Sequence, residues 1–315
     1  MIWLFLGCDL ESPVQPGSTV TVVFDVPKGA TARGLGDELA NEGLVASESS
    51  WEWFLRLGAD GGCLKAGKHG VGPGMSAPEL LVALCGVPIP DDVAFTVVEG
   101  WRIRDIDAAL AEKGWIQAGD YVAAAQTPPA DAGFPLPLRG LEGYLFPETY
   151  RVTPTGFQAS AFVRRQVETF GDRWGKNAVA AMSRPFEQVV IVASMLEREE
   201  PSPTNRPTVA GIMWKRLDSG WHLGIDATSR YTLADWNNRD DFMAKLRDPA
   251  DLYNTRLRPG LPPTPIGNPG LASLEAAANA TETEFWYYLH DSSGTLHPSR
   301  TVQEHEAFRR KYNVY

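Results

Sequence analysis

Three glutamates, Glu197, Glu199 and Glu200, end the apolar run QVVIVASMLEREE at residues 188–200. Within it Val189, Val192, Ala193 and Leu196 recur at the i, i+3, i+4, i+7 spacing that predicts a helix with a buried face. At about 100° per residue, Glu197 falls roughly 20° from Val190 and 40° from Ala193, on an apolar side. Glu199 and Glu200 point to more solvated sides. A carboxyl group seated against apolar neighbours loses hydration, which disfavours its charged form and suits it to donate a proton near neutrality. Glu197 is therefore the candidate general acid. The competing reading of the same residues is a solvated helix end.

The other residues able to do chemistry are scattered. The segment LEGYLFPETY at 141–150 packs glycine, proline, three aromatics and two carboxylates into a short non-helical stretch, with Tyr144 and Glu148 as its candidates. Aromatic faces beside hydrogen-bonding groups suit a sugar-binding surface, although ordinary loop packing would use the same residues. His222, His290, His297 and His305 invite a metal reading, and His297 and His305 could approach one another. None of the four has the i, i+4 spacing of a helical zinc pair and no cysteine joins them, so neither a metal nor another cofactor is expected.

Composition narrows the classes. A chain of 315 residues with a formal net charge of -10 suits two folded domains and opposes binding to a nucleic-acid backbone, because no basic block offsets the charge. Cys8, Cys63 and Cys85 are too few for a zinc site or a disulfide scaffold. Cys63 and Cys85 could pair in an oxidising compartment; buried free thiols are the expectation. Residues 1–7, MIWLFLG, are apolar but far short of the roughly 20 needed to span a bilayer, and lack a basic leader. They read as the tail of a membrane helix, with residues 1–17 as truncated anchor and linker. Residues 4–8 also loosely resemble a lipobox, with Cys8 as acceptor.

The elements that must hold these side chains can be taken in order. A strand with alternating Val20, Val22 and Phe24 ends at Pro27, and Thr31 stands as the N-cap of a helix carrying Leu35, Leu39 and Leu44. A second amphipathic helix follows at 48–57. The strand, glycine, helix and closing glycine that begin near Val26 recur near Val98, a partial echo consistent with a small modular binding domain over residues 18–126. Four prolines at 127–139 mark the expected linker. Beyond it, over 140–315, helices are expected at 157–174, 188–200, 208–219, 271–279 and 301–312, with a strand at 285–290. The expected fold class is α+β: a small N-terminal α/β module followed by a mixed α+β domain.

Five strings in register carry a resemblance: LEGYLFPETY, ASMLEREE, VAGIMWKRL, the IDAT around Asp226, and YNTRLRPGLPPTPIGNPG at 253–270. Together they resemble the MltG (YceG-like) endolytic peptidoglycan transglycosylases. The first domain, with VPKGAT, LKAG and VEGWRIRDI, is similar to that family's N-terminal region, which contains a LysM-like part. The resemblance implies an enzyme anchored in the bacterial inner membrane by one N-terminal helix, with its catalytic domain in the periplasm. It also implies action on nascent glycan strands beside peptidoglycan synthases, the penicillin-binding proteins. In this resemblance Glu197 matches the catalytic glutamate. The chain departs from the pattern at Gly224, Ala227, Arg256 and Ser299, where relatives tend to carry Gln, Pro, an aromatic and Phe.

The implied reaction needs one carboxyl group rather than the usual glycosidase pair. It protonates the glycosidic oxygen, then deprotonates the muramyl 6-hydroxyl, which closes on the anomeric carbon to a 1,6-anhydro ring. The nucleophile is tethered to the sugar, so proximity replaces a second carboxylate. Asn254 and Thr255 are candidate donors to the N-acetyl or ring hydroxyls, with Asp226 and Glu148 behind them; loop capping is their alternative role. Two rivals stand beside this: a noncatalytic glycan-binding scaffold for polymerases, and a hydrolase pairing Glu197 with Asp226 or Glu199.

Overall fold

The computed structural model describes residues 11–138 and 140–314. The expected anchor and the lipobox-like Cys8 lie outside the described residues. Among those described, no helix is long and apolar enough to cross a membrane. The chain forms two compact units, Met1–Val93 and Ala94–Tyr315, each with its own apolar core.

In the first unit, β1 (Val22–Val26) pairs antiparallel with β2 (Gly67–Val71), Val22 facing Val71 and Val26 facing Gly67. Phe24 and Val26 turn inward while Val23 is exposed, as a half-buried strand requires. Between the strands run α1 (Gly36–Asn41) and α2 (Glu48–Arg56), and α3 (Ala77–Cys85) follows β2. Thr31 caps as its type predicts, its Oγ1 accepting the Gly34 N–H at 3.1 Å, although the first turn is 3-10 and Leu44 falls past the end of α1. Cys63 and Cys85 form a disulfide rather than the expected free thiols. The backbone brings them together: the Lys65 N–H donates to the Leu84 carbonyl, and the buried His69 ring lies within 2.9 Å of both the Ala83 and Lys65 carbonyls.

β3 (Val93–Thr96) starts at the last residue of the first unit and continues into the second, which goes on with α4 (Ile103–Glu112) and α5 (Asp120–Ala124), and β3 pairs with β4 (Thr149–Val152). Then come α6 (Ala159–Phe170), extended by a π turn at Gly171–Gly175, α7 (Phe186–Glu199), α8 (Arg206–Asp218), α9 (Asp226–Tyr231), α10 (Arg239–Lys245) and α11 (Leu271–Ala278). The antiparallel pair β5 (Tyr287–His290) and β6 (Leu296–Ser299) precedes α12 (Val302–Tyr312). The result is α+β, mostly helical with two-stranded sheets.

The described part of the proline-rich stretch, 127–138, lies within this second unit instead of between units. Its Phe134 stacks on Phe170 at 5.3 Å, and directly beyond it Gly140 and Leu141 donate to the Gln126 and Ala125 carbonyls. An aromatic anchor thus fixes a segment whose composition reads as a linker. At the centre lies α7, buried without a break from Val189 to Leu196 and packed against α8, α9 and α11. A helix apolar all round is a core helix, and the sequence had shown only one of its faces.

Candidate active site

The C-terminal turn of α7 carries carboxyl groups in opposite directions, since residues two apart on a helix are separated by about 200°. Glu197 faces Arg206 and Gly270. Its Oε1 accepts from Arg206 Nη2 at 2.8 Å and its Oε2 from the Gly270 N–H at 2.9 Å, and both partners of the ion pair are almost fully buried. Arg206 also donates from Nε to the Glu200 carbonyl at 2.9 Å, satisfying an orphan acceptor at the helix end. Both oxygens of Glu197 are therefore committed as acceptors to these two donors.

Glu99 stands beside this pair. Its carboxyl occupies the space that a Cβ on residue 270 would fill, so any larger residue there would displace the Glu99 side chain. Burial first, and then repulsion from Glu197, raise the Glu99 carboxyl above its ordinary range against the pull of Arg206. Gly100, in the left-handed region at φ +78°, turns the chain, and its N–H donates to the Asn268 carbonyl at 2.7 Å.

Glu199 faces the other way. The Tyr288 hydroxyl donates to its Oε2 at 3.0 Å, and the residue as a whole is partly buried. Burial raises its carboxyl above the ordinary range, with the charge of Asp226 adding to the rise; the Tyr288 hydrogen bond, His290 and Arg256 oppose it. Asp226 opens α9 and is held by Arg256, Nε to Oδ1 at 2.6 Å. Glu200, expected to be solvated, is fully buried: its Oε2 lies 2.9 Å from His290 Nε2 and its Oε1 accepts the Ser202 N–H. The expectation that Glu199 and Glu200 lie on solvated sides fails because β5 packs over them from about ninety residues further along.

Asn254 and Thr255 support the site instead of facing substrate. Asn254 is fully buried, its amide donating to the Lys245 and Asp248 carbonyls and its Oδ1 accepting from the Arg256 and Leu257 N–H groups. Thr255 Oγ1 accepts the Ile225 N–H at 3.0 Å and lies 3.1 Å from Thr228 Oγ1. The two residues fix the loop that holds Arg256 against Asp226. Glu148 is taken up elsewhere by Arg173, at 2.6 and 3.1 Å. Tyr144 is buried against Phe170 and lines a separate cavity of about 570 Å³ with Glu142, Tyr231 and Tyr253. Of the other sequence candidates, Asp226 is the one whose charge acts on Glu199, while its carboxylate is held by Arg256. His297 pairs with Asp291 and stacks on Tyr312, while His305 stacks on Tyr287, so the two histidines serve separate contacts.

Sequence reasoning missed Arg206, Glu99, Tyr288 and the role of Arg256. One signal was legible: in the strand-glycine-helix echo, Lys28 precedes the left-handed Gly29, and Glu99 precedes the left-handed Gly100. The two corresponding positions thus carry opposite charges.

An α+β framework that seats the Glu199 carboxyl, raised above its ordinary range, within the influence of the ion-paired Asp226 supplies the groups that acid–base chemistry uses. The chain belongs to the YceG-like family, whose model matches residues 24–311. It is 26% identical over 328 residues to the endolytic murein transglycosylase of Bacillus subtilis, covering 97% of this chain and 89% of that protein. It is 22% identical to the protein of the same description from Streptococcus pneumoniae, of which it spans 59%. A YceG-like protein of Listeria monocytogenes has a similar fold, with a TM-score of 0.58 at 22% identity, over 92% of this chain and all of the other.

Proposed function

We propose that this protein is an endolytic murein transglycosylase that cleaves the β-1,4 bond between N-acetylmuramic acid and N-acetylglucosamine inside peptidoglycan strands, and that Glu199 moves the proton. The observation that carries this is the Glu199 carboxyl, bound by the Tyr288 hydroxyl and kept above the ordinary carboxylate range by burial and Asp226. Glu197, the sequence candidate, has both oxygens bound to Arg206 and Gly270 and serves as the positioning anchor of the helix end.

Protonated Glu199 donates to the glycosidic oxygen as the bond from that oxygen to the muramyl anomeric carbon breaks. The carboxylate left behind takes the proton of the muramyl 6-hydroxyl, whose oxygen closes on the anomeric carbon. The leaving strand keeps the first proton and Glu199 recovers one from the 6-hydroxyl. No water is consumed, and the end formed is a 1,6-anhydromuramyl residue. Asp226, fixed by Arg256, helps to retain the acidic proton and offers negative charge to the electron-poor anomeric centre. Its proximity also favours a second reading, a two-carboxylate hydrolase. Mass spectrometry of products from purified strands separates the two: anhydro ends are expected, and reducing ends would establish water as the nucleophile.

The β-α-α-β order of the first unit supports a LysM-like glycan-positioning role for it, within a larger N-terminal region reaching residue 126. The Cys63–Cys85 disulfide supports export to an oxidising compartment, in keeping with an N-terminal inner-membrane anchor and a periplasmic catalytic region. Work beside peptidoglycan synthases belongs to the same proposal.

A further inference from the structure

Trp221 is 42% exposed just past the end of α8, where its N–H donates to the Arg216 carbonyl at 2.8 Å. The indole is nonetheless held in place. Its ring lies 4.6 Å from that of Trp286 and 6.0 Å from that of Tyr287. Lys215 Nζ sits 4.5 Å from the Trp286 ring centre. Arg216 donates to the Trp286 carbonyl at 2.8 Å and to the Leu223 carbonyl at 2.6 Å, tying the aromatic pair to the segment that leads into Asp226.

The pair is also joined along the chain to the strand that reaches Glu199. The Trp286 N–H donates to the Ser299 carbonyl, which continues the β5–β6 ladder by one residue. In an extended chain, residues two apart share a face at roughly 7 Å, and the residue two beyond Trp286 is Tyr288, whose hydroxyl binds Glu199. A fixed aromatic surface, open to water at Trp221 and two residues along the chain from the tyrosine that binds Glu199, is suited to the C–H face of a pyranose.

We propose that Trp221 and Trp286 form a stacking subsite for a sugar ring of the glycan strand, one that lies next to the ring cleaved at Glu199. The subsite rests on the glycan-cleaving function argued above. It grips the strand in ground and transition state alike, so its loss weakens binding without slowing the chemical step.

The test compares Trp221→Ala and Trp221→Phe with the wild type on purified, uncrosslinked glycan strands. Trp221→Ala is expected to raise KM roughly 3- to 10-fold, with kcat and the unfolding midpoint unchanged and with Phe restoring most of the affinity. In the Glu199→Gln protein, tryptophan fluorescence should shift on titration with strands, and Trp221→Ala should remove most of that shift. An active enzyme whose KM ignores Trp221→Ala overturns the subsite. So does a loss confined to kcat, or a fluorescence response to anionic lipid vesicles and none to strands. If the wild type neither binds nor cleaves strands, the glycan-cleaving function falls and the subsite with it.

Discussion

Glu197 and Arg206 close a buried ion pair, Oε1 to Nη2 at 2.8 Å, with 5% and 6% of their side chains exposed. The same guanidinium caps the Glu200 carbonyl, so one side chain holds both the charge and the end of α7. Removing one partner of a buried pair leaves an uncompensated charge, at a cost of about 3–5 kcal/mol. Arg206→Met should therefore lower stability by that order, read from chemical denaturation. An effect within about 0.5 kcal/mol, the range of ordinary surface changes, would show that the pair does not anchor the helix.

Glu199→Gln should abolish strand cleavage with little change in the unfolding midpoint. The amide keeps the volume and can still accept from Tyr288, but it cannot release a proton. General acid–base catalysis contributes about 10²- to 10⁴-fold, and the same group serves both proton transfers, so the loss should reach the upper end. Glu197→Gln should act mainly through stability. If Glu197→Gln silences a well-folded enzyme while Glu199→Gln stays active, the roles of the two glutamates are reversed.

The contrast between these glutamates marks how far the sequence could be read. The helix itself was legible, because an apolar run of that length with a charged end has few other structures. Its direction of burial was not: periodicity ranks the sides of an isolated helix, whereas Val190 is covered as fully as Val189, and Ile191 is buried too, because neighbours close on every side. Glu199 looked solvated beside Arg198 and Glu200, and only the return of β5 with Tyr288 and His290 encloses it. Asn254 and Thr255 were legible as turn formers, and that is the work they do. Phe134 shows the same limit, since proline content suggested a linker where one aromatic ring fixes the segment.

A pH dependence of stability should come from Glu142. Burial lifts its carboxyl from 4.5 to about 8, against hydrogen bonds from the Tyr231 hydroxyl and the Ile103 N–H. In that interval the folded state holds a proton that the unfolded state has released, so stability falls as pH rises from 4.5 towards 8 and levels off above. Glu142→Gln, which mimics the protonated acid, should flatten this slope. Thermal midpoints of both proteins across the interval check it, and parallel curves would remove Glu142 as the cause.

The last prediction concerns the coupling of Glu199 to Asp226. After burial, the Asp226 charge is what raises the Glu199 carboxyl while Arg256 pulls it down. Asp226→Asn removes the repulsion and frees Arg256 from its partner, and both changes favour ionised Glu199. The acid form required for the first proton transfer is then lost at lower pH, so the basic limb of the kcat/KM profile should move toward acid. Activity should fall most on the alkaline side and recover as the medium is acidified, whereas a residue that only shapes the fold would lower the rate evenly at every pH. The double variant Asp226→Asn, Arg256→Gln isolates the repulsion, since it removes the freed cation as well. Its basic limb should lie between those of the single variant and the wild type. A profile for Asp226→Asn with both limbs unmoved would separate Asp226 from the acid and leave its contact with Arg256 as a matter of loop structure alone.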